Sequence, residues 1–207
     1  MRRVLCCFAA LLTTVAVTAS GAPALGATTG KVVDNSTLNP PASDIYTCYA
    51  DGRNTICRGE QNLSGVNDDS GLTCGERPIY STGTDTRQLT RYYDQNGDLV
   101  WRRVQASANA TWSLSSTGAG PTVTFVGHWG WTVRYSVAGD VDSGLLAAHG
   151  TDTLIKSPNG GGVIVHEAGT SYAVGADFTD TGVYHGPHTW TTDPAGSLAK
   201  VCAALGA

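Results

Sequence analysis

One stretch, residues 86–105 (TRQLTRYYDQNGDLVWRRVQ), constrains the fold more than any other part of this chain. Two runs rich in Tyr, Leu, Val and Thr flank an Asn-Gly pair, which is a strong signal for a β-hairpin. A two-residue loop would place Arg91 opposite Arg102, and opposed like charges destabilise a ladder. We therefore favour a three-residue loop with Gly97 in the left-handed region, which predicts that Arg91 faces Trp101 as a cation–π pair.

The run from residue 128 to 138 alternates between apolar and polar side chains without a break, as a half-buried strand does. The set predicted to face the core is Trp129, Trp131, Val133, Tyr135 and Val137. The set predicted to face outward is His128, Thr132, Arg134 and Ser136. Shorter alternating runs predict further strands at residues 109–115, 122–126, 151–156, 162–166, 170–176 and 182–190.

The end of the chain has the pattern of a short helix. Asp193 can cap it, Pro194 lies at the first helical position, and apolar residues recur through 195–205. Many short strands followed by one helix predict an all-β fold, an antiparallel β-barrel or sandwich with a short C-terminal helix and two disulfides. We favour the barrel over the sandwich, because closure removes exposed strand edges.

The sequence divides into three segments. Residues 1–26 combine a basic start, an apolar run and small residues near the cleavage point, which predicts a secretory signal peptide. Residues 27–44 are rich in Thr, Asn, Pro and Ser and lack an apolar period, which predicts a flexible linker. Residues 45–207 then form one disulfide-stapled β domain, in which the polar stretch 62–71 predicts a loop. We expect a secreted, extracellular protein with no membrane association after signal cleavage.

Net charge bears on the class of partner. The chain has 13 Lys and Arg against 17 Asp and Glu, and the signal peptide contains only Arg2 and Arg3 among them. The mature chain therefore has 11 basic and 17 acidic side chains, a net charge of −6. This acidic balance argues against nucleic acid and anionic membranes as partners.

Four cysteines follow the predicted signal peptide, and an even number in an exported chain predicts disulfides. A two-residue turn at residues 52–53 would place Cys48 directly opposite Cys57, at a spacing that suits a disulfide. Cys74 is then left to pair with Cys202. No Cys-x-x-Cys motif occurs, so we predict no metal site at these cysteines.

Several segments together carry a resemblance: CGERPIY at 74–80, YYDQNGDLVWR at 92–102, NATWSL at 109–114, HEAG at 166–169 and KVCAALG at 200–206. With the signal peptide, this layout resembles a group of uncharacterised actinobacterial exported proteins, over most of the mature chain. In size and strand pattern that group is similar to small β-barrels of the allene oxide cyclase and dirigent kind. Fold likeness does not imply function, and the catalytic residues of those barrels match no motif here, so none is carried over.

No motif predicts catalysis, a metal or a cofactor. His166-Glu167 lacks the second histidine of a zinc protease motif, and no Gly-x-Ser-x-Gly occurs. His185 and His188 lie close together on a turn but lack a clear third metal ligand. The side chains that we select as candidates for ligand binding are Arg134, His128, His185, His188 and Trp101.

Two classes of function remain open from the sequence. The first is a secreted, non-catalytic barrel that binds a small apolar ligand or a partner protein. The second is a small extracellular isomerase, cyclase or hydrolase that uses a barrel pocket. The enzyme would need titratable groups that converge in that pocket, and a filled core would favour a structural or interaction protein.

Overall fold

A computed structural model describes residues 30–158 and 161–207, so the predicted signal peptide at 1–26 lies outside the described residues. The described chain folds into one antiparallel sheet whose strands follow chain order. The strands are β1 Val32–Val33, β2 Tyr46–Asp51, β3 Asn54–Cys74, β4 Arg77–Tyr93, β5 Leu99–Ser113, β6 Thr122–Tyr135, β7 Gly144–Lys156, β8 Val163–Val174 and β9 Thr179–His185. Two helices follow, α1 Thr189–Thr192 and α2 Pro194–Ala204. The prediction of a mostly β protein with a short C-terminal helix is confirmed.

The sheet is open. Each strand pairs with its neighbours in sequence, and across residues 30–158 and 161–207 no pairing joins β9 back to β1. Barrel closure is therefore not shown, and the strands form a single sheet instead of two stacked ones. No helix in these same ranges is long and apolar enough to cross a membrane.

The polar stretch 62–71 is part of a strand, so the prediction of a loop there is wrong. β3 runs without interruption from Asn54 to Cys74 and pairs with β4 along most of that length. Register shifts after Gly65 and Asp69 absorb the irregular residues, and Asn67 takes a φ of 55°. The backbone hydrogen bonds to β4 stabilise this segment as a strand, although few of its side chains are apolar.

The β4–β5 hairpin begins in the predicted register and then leaves it. Gly97 has a φ of 83°, and Tyr93 lies opposite Leu99, as a three-residue loop requires. A β-bulge follows, so that Tyr92 pairs with Trp101 and Arg91 with Arg102. The predicted three-residue loop is therefore confirmed, but the predicted pairing of Arg91 with Trp101 is wrong.

The segment before β2, for which the sequence predicts a flexible linker at 27–44, packs on the sheet over its described part. Leu38 and Ala42 are only 5% and 6% exposed. The backbone N–H of Asn39 donates to the carbonyl of Gly97 at 2.8 Å, and the N–H of Leu99 donates to the carbonyl of Asn39 at 2.8 Å. Two apolar side chains and a pair of bonds to the β4–β5 turn are enough to hold a segment that has no periodic pattern of its own.

Two apolar clusters lie on the inward side of the sheet, one near each end of the long strands. Cluster 1 comprises Cys74, Ile79, Ala108, Trp112, Val123, Phe125, Ile155, Val165, Val201 and Leu205. Cluster 2 comprises Leu38, Ala42, Cys48, Cys57, Tyr93, Leu99, Val133 and Tyr135, with Tyr46, Trp131 and Phe178 packed against it. Helix α2 thus covers the first cluster, and the segment before β2 covers the second.

The predicted orientation of β6 is confirmed within the strand. Val133 is fully buried and Tyr135 is 8% exposed, whereas His128 and Arg134 are exposed. Val137, which was predicted to face the core, is 57% exposed because β6 ends at Tyr135.

Both predicted disulfides are present. Cys48 lies opposite Cys57 across β2 and β3, where Asp51 pairs with Asn54 around a two-residue turn. Cys74, at the end of β3, is joined to Cys202 in α2. As predicted, the Asp193 side chain caps α2 by accepting a hydrogen bond from the N–H of Gly196 at 2.9 Å.

Candidate anion-binding site

Two arginines enter cluster 2 side by side. Odd-numbered residues of β4 face inward from Ile79 to Tyr93, which places Arg91 on the inner side. On β5 the bulged residue Val100 shifts the alternation, so that Arg102 also points inward, directly opposite Arg91. Residues opposed in this way have Cα atoms about 5 Å apart, so the two guanidinium groups share one region of space.

Aromatic rings surround both guanidinium groups. The Cζ atom of Arg91 lies 4.8 Å from the ring centroid of Tyr46. The Cζ atom of Arg102 lies 5.2 Å from the centroid of Trp131 and 4.9 Å from that of Phe178. Such contacts attract a cation to the negative face of each ring, but they do not neutralise its charge.

The hydrogen bonds of the pair go to neutral acceptors. The Arg91 guanidinium donates to the carbonyl of Pro41 at 3.2 Å and to the hydroxyl of Tyr93 at 3.3 Å. The Nε atoms of Arg91 and Arg102 are both buried without a hydrogen-bond partner, and so is the hydroxyl oxygen of Tyr135. Buried polar atoms are normally satisfied, so three unsatisfied atoms in one cluster distinguish this part of the protein.

Among the described residues, no carboxylate forms an ion pair with Arg91 or Arg102. In the part of the chain that the structure describes, the ion pairs are Arg87 with Asp85 and His188 with Glu167, and neither includes Arg91 or Arg102. Both arginines are half-buried, and a partly desolvated charge without a counter-ion is destabilising, more so beside a second like charge. The arrangement therefore favours an anion that enters from outside the chain.

The protonation states of Arg91, Arg102 and Tyr135 allow all three side chains to donate hydrogen bonds to an anion. Burial lowers the pKa of Arg102, and the nearby charge of Arg91 lowers it further. A guanidinium nevertheless stays protonated in proteins, so both arginines are cations at neutral pH. Burial raises the pKa of the Tyr135 phenol, with Arg102 acting in the opposite direction. Tyr135 thus remains a neutral hydroxyl with a proton to donate.

The ring partners of the arginines come from opposite sides of the sheet order. Tyr46 lies on β2, near the first strand, and Phe178 lies in the turn between β8 and β9. Since these rings contact adjacent arginines, side chains from both halves of the strand order meet at this end of the sheet. The arginine pair lies between the two sides, where the sheet is not closed by strand pairing.

The five ligand-binding residues chosen from the sequence are not gathered into one site. Trp101 and Arg134 are partners across β5 and β6, and Trp101 stacks on Tyr92 with ring centroids 5.8 Å apart. His128 is exposed, six residues from Arg134 along β6, with its Nδ1 atom 3.1 Å from the Ser107 hydroxyl. Six residues of a strand span about 20 Å, so His128 cannot share a small site with Arg134.

The other two histidines lie together near the start of α1. His188 Nδ1 is 2.8 Å from Glu167 Oε1, and its Nε2 is 3.3 Å from the carbonyl of His185. The imidazole of His185 lies edge-on to the Tyr172 ring, with centroids 6.3 Å apart. His188 is therefore engaged inside the protein, and neither histidine reaches the arginine cluster through the contacts described.

Sequence reasoning missed the arginine pair for an identifiable reason. The register that opposes Arg91 and Arg102 was rejected because it opposes two like charges, yet that opposition is what builds the site. A hairpin register can bring two arginines directly opposite each other. Such a pair is a usable signal for an anion site when no Asp or Glu side chain is close enough to form an ion pair with it. Comparison with protein-family models, with curated proteins and with solved structures gives no match for this chain, so its ligand must be inferred from its own residues.

Proposed function

We propose that this protein is a secreted, non-catalytic binding protein whose ligand is a small organic anion held by Arg91 and Arg102. The observation that carries the proposal is the pair of inward guanidinium groups, which have aromatic and neutral polar neighbours but no carboxylate among the described ion pairs. An anion would supply the missing counter-charge and the acceptors for two buried Nε–H groups.

This proposal changes the expected ligand chemistry from apolar to amphipathic. A wholly apolar molecule would leave both guanidinium groups without a counter-charge and would remove water from them. The rings of Tyr46, Trp131 and Phe178 provide apolar surface beside the charges. A ligand with an anionic group and an aromatic or aliphatic body matches both features.

We include a barrel-like wall and secretion in the same proposal. The clusters at the two ends and the close approach of β2 to the β8–β9 turn support a sheet that curls towards closure. The apolar run and small residues of 1–26 support export. The two disulfides are typical of an oxidising, extracellular-type environment.

An enzyme is the weaker alternative. Among the described ion pairs, Glu167 and His188 form the one that joins a carboxylate to an imidazole, as an acid–base catalyst would. Their side chains are only 7% and 8% exposed. Glu167 also accepts hydrogen bonds from the backbone of α1, which assigns the pair to holding the helix. We therefore favour binding over an isomerase, cyclase or hydrolase activity.

Isothermal titration calorimetry with aromatic carboxylates, sulfate esters and phosphate esters tests the proposal. We expect at least one class to bind, and Arg102→Gln to weaken its binding by tenfold or more, in line with the loss of a charge-assisted hydrogen bond. Arg103→Gln is the matched control, because Arg103 is the next residue on β5 and is exposed. Failure of all three classes, or equal binding to the Arg102→Gln variant, would refute the proposed function.

A further inference from the structure

We infer that the anion is a dianionic phosphate monoester with an aromatic or apolar body, an inference that rests on the proposed function of the arginine pair. The structural reason is the combination of two adjacent guanidinium groups, on Arg91 and Arg102, with the buried hydroxyl of Tyr135 beside Arg102. Charge separates a phosphate monoester from carboxylates and sulfate esters, and the number of acceptor oxygens separates it from carboxylates.

Charge balance is the first observation. A carboxylate or a sulfate ester carries one negative charge and would leave one positive charge uncompensated beside aromatic rings. A phosphate monoester carries about −1.5 to −2 at pH 7 and neutralises both guanidinium groups. The described surroundings add no compensating charge, since the acceptors of Arg91 are a carbonyl and a phenol and the neighbours of Arg102 are two rings and the phenol of Tyr135.

The number of donors is the second observation. Arg91 and Arg102 each have a buried Nε–H without an acceptor, and Tyr135 has a buried hydroxyl without a partner. A phosphate monoester, like a sulfate ester, has three terminal oxygens that accept hydrogen bonds, whereas a carboxylate has two, so the donor count favours a tetrahedral anion and the charge balance separates phosphate from sulfate. The two arginines also approach from directly opposed strands, and a tetrahedral group can accept from both sides.

The rest of the protein makes this pair distinctive. The chain is acidic overall, with 13 Lys and Arg against 17 Asp and Glu. Arg87, the inward arginine four residues before Arg91 on β4, is already neutralised by Asp85 at 2.6 Å. The chain is therefore not basic overall, and we expect a dianion to bind at the two inward arginines, which lie directly opposite each other.

The ester body would lie against the rings that flank the charges. Trp131 and Phe178 have centroids 6.2 Å apart with planes at 46°, and both contact Arg102. Tyr46 borders the pair from the β2 side. Phenyl phosphate is accordingly the probe, and phenyl sulfate and benzoate are monoanionic probes with the same ring.

The affinity of the full protein for each of the three probes is measured by isothermal titration calorimetry at pH 7.5 and at pH 5.0. We expect phenyl phosphate to bind at least tenfold more tightly than either monoanion at pH 7.5. The second pKa of a phosphate monoester is about 6, so about a tenth of it is dianionic at pH 5.0, and its affinity should fall about tenfold. The affinities of phenyl sulfate and benzoate should change much less.

The pH change reports on the ligand because the protein groups at the site do not titrate in that window. The titratable groups that couple electrostatically to the two arginines include the phenols of Tyr93 and Tyr135. Phenols in general ionise near pH 10. Burial raises the pKa of Tyr93 and of Tyr135 further from the window.

Two variants locate the binding. Arg102→Gln should reduce phenyl phosphate affinity by tenfold or more, and Tyr135→Phe should reduce it by several-fold while leaving benzoate affinity nearly unchanged. Circular dichroism confirms that each variant is folded, and if Arg102→Gln does not fold, Tyr135→Phe and the pH comparison still decide the question.

The outcomes distinguish this inference from the proposed function. If phenyl sulfate or benzoate binds as tightly as phenyl phosphate and loses affinity in Arg102→Gln, the dianion inference is overturned and the anion site stands. If phenyl phosphate binds equally at pH 5.0 and 7.5, the dianion inference is also overturned. If none of the probes binds, the inference and the proposed function fail together.

Discussion

Glu167 and His188 lie 2.8 Å apart, from Oε1 to Nδ1, and their side chains are 7% and 8% exposed. The same carboxylate accepts hydrogen bonds from the backbone N–H of Trp190 at 2.8 Å and from the hydroxyl of Thr191 at 2.7 Å. A single buried carboxylate on β8 thereby satisfies the first turn of α1 and fixes the C-terminal segment to the sheet.

We expect Glu167→Gln to lower the free energy of unfolding by about 1–3 kcal/mol, because an amide cannot accept all of these hydrogen bonds and leaves buried donors unsatisfied. Urea denaturation measures the change. The control is Glu76→Gln at an exposed turn, which should change stability by less than about 0.5 kcal/mol. Equal effects of the two substitutions would show that Glu167 has no special structural role.

The orientation of β6 gives a second prediction. Val133 is fully buried, so Val133→Ala should cost about 1–3 kcal/mol through the cavity that it leaves. Val133→Asp should cost more, because it buries a carboxylate without a partner. Thr132→Asp is the control, since Thr132 points to the other side and pairs with Arg103, and it should cost less than about 0.5 kcal/mol. Thermal melts in which Thr132→Asp is the damaging change would contradict this orientation.

The segment before β2 gives a third prediction. Leu38 is 5% exposed in cluster 2, so Leu38→Ala should destabilise the protein by about 2–5 kcal/mol. Val32→Ala is the control, because Val32 is 64% exposed, and it should be nearly silent. A flexible linker would instead make the two substitutions equally harmless in a urea melt.

The long disulfide gives a fourth prediction. Non-reducing peptide mapping should recover Cys48 linked to Cys57 and Cys74 linked to Cys202. Replacing Cys74 and Cys202 together by Ser should cost about 4–5 kcal/mol in the chain-entropy model, because the bridge closes a loop of 128 residues. Recovery of Cys57 linked to Cys74 would contradict the structure.

The tyrosines of cluster 2 give a pH prediction. The pKa of Tyr135 is raised by burial in the folded protein, so the unfolded chain loses this proton first as the pH rises through about 10. Stability from this group is complete below pH 10 and is lost as pH rises through the folded pKa. Tyr135→Phe should therefore show a shallower loss of stability between pH 9 and pH 11 in urea melts. A slope identical to that of the parent protein would show that Tyr135 ionises equally in both states.

Local patterns predicted the parts of this fold that depend on near neighbours in sequence. The pairing of Cys48 with Cys57 follows from a two-residue turn, and the start of α2 follows from the cap at Asp193. The inward position of Val133 follows from strict alternation, because a shift of one residue would reverse every side chain of the strand. In each case the deciding interaction spans only a few residues.

The packing of residues 30–44 and the register of the β4–β5 hairpin required the tertiary structure. Leu38 has no periodic context, and only cluster 2 provides the surface that buries it. Arg91 and Arg102 repel each other when the hairpin is considered alone. Rings from β2, from β6 and from the β8–β9 turn contact these guanidinium groups, and no rule based on one hairpin can include side chains so distant in sequence. The sequence by itself therefore determined the faces of β6 and the disulfides, whereas the arrangement around Arg91 and Arg102 was decided by tertiary contacts, because the rings that contact them are distant in sequence.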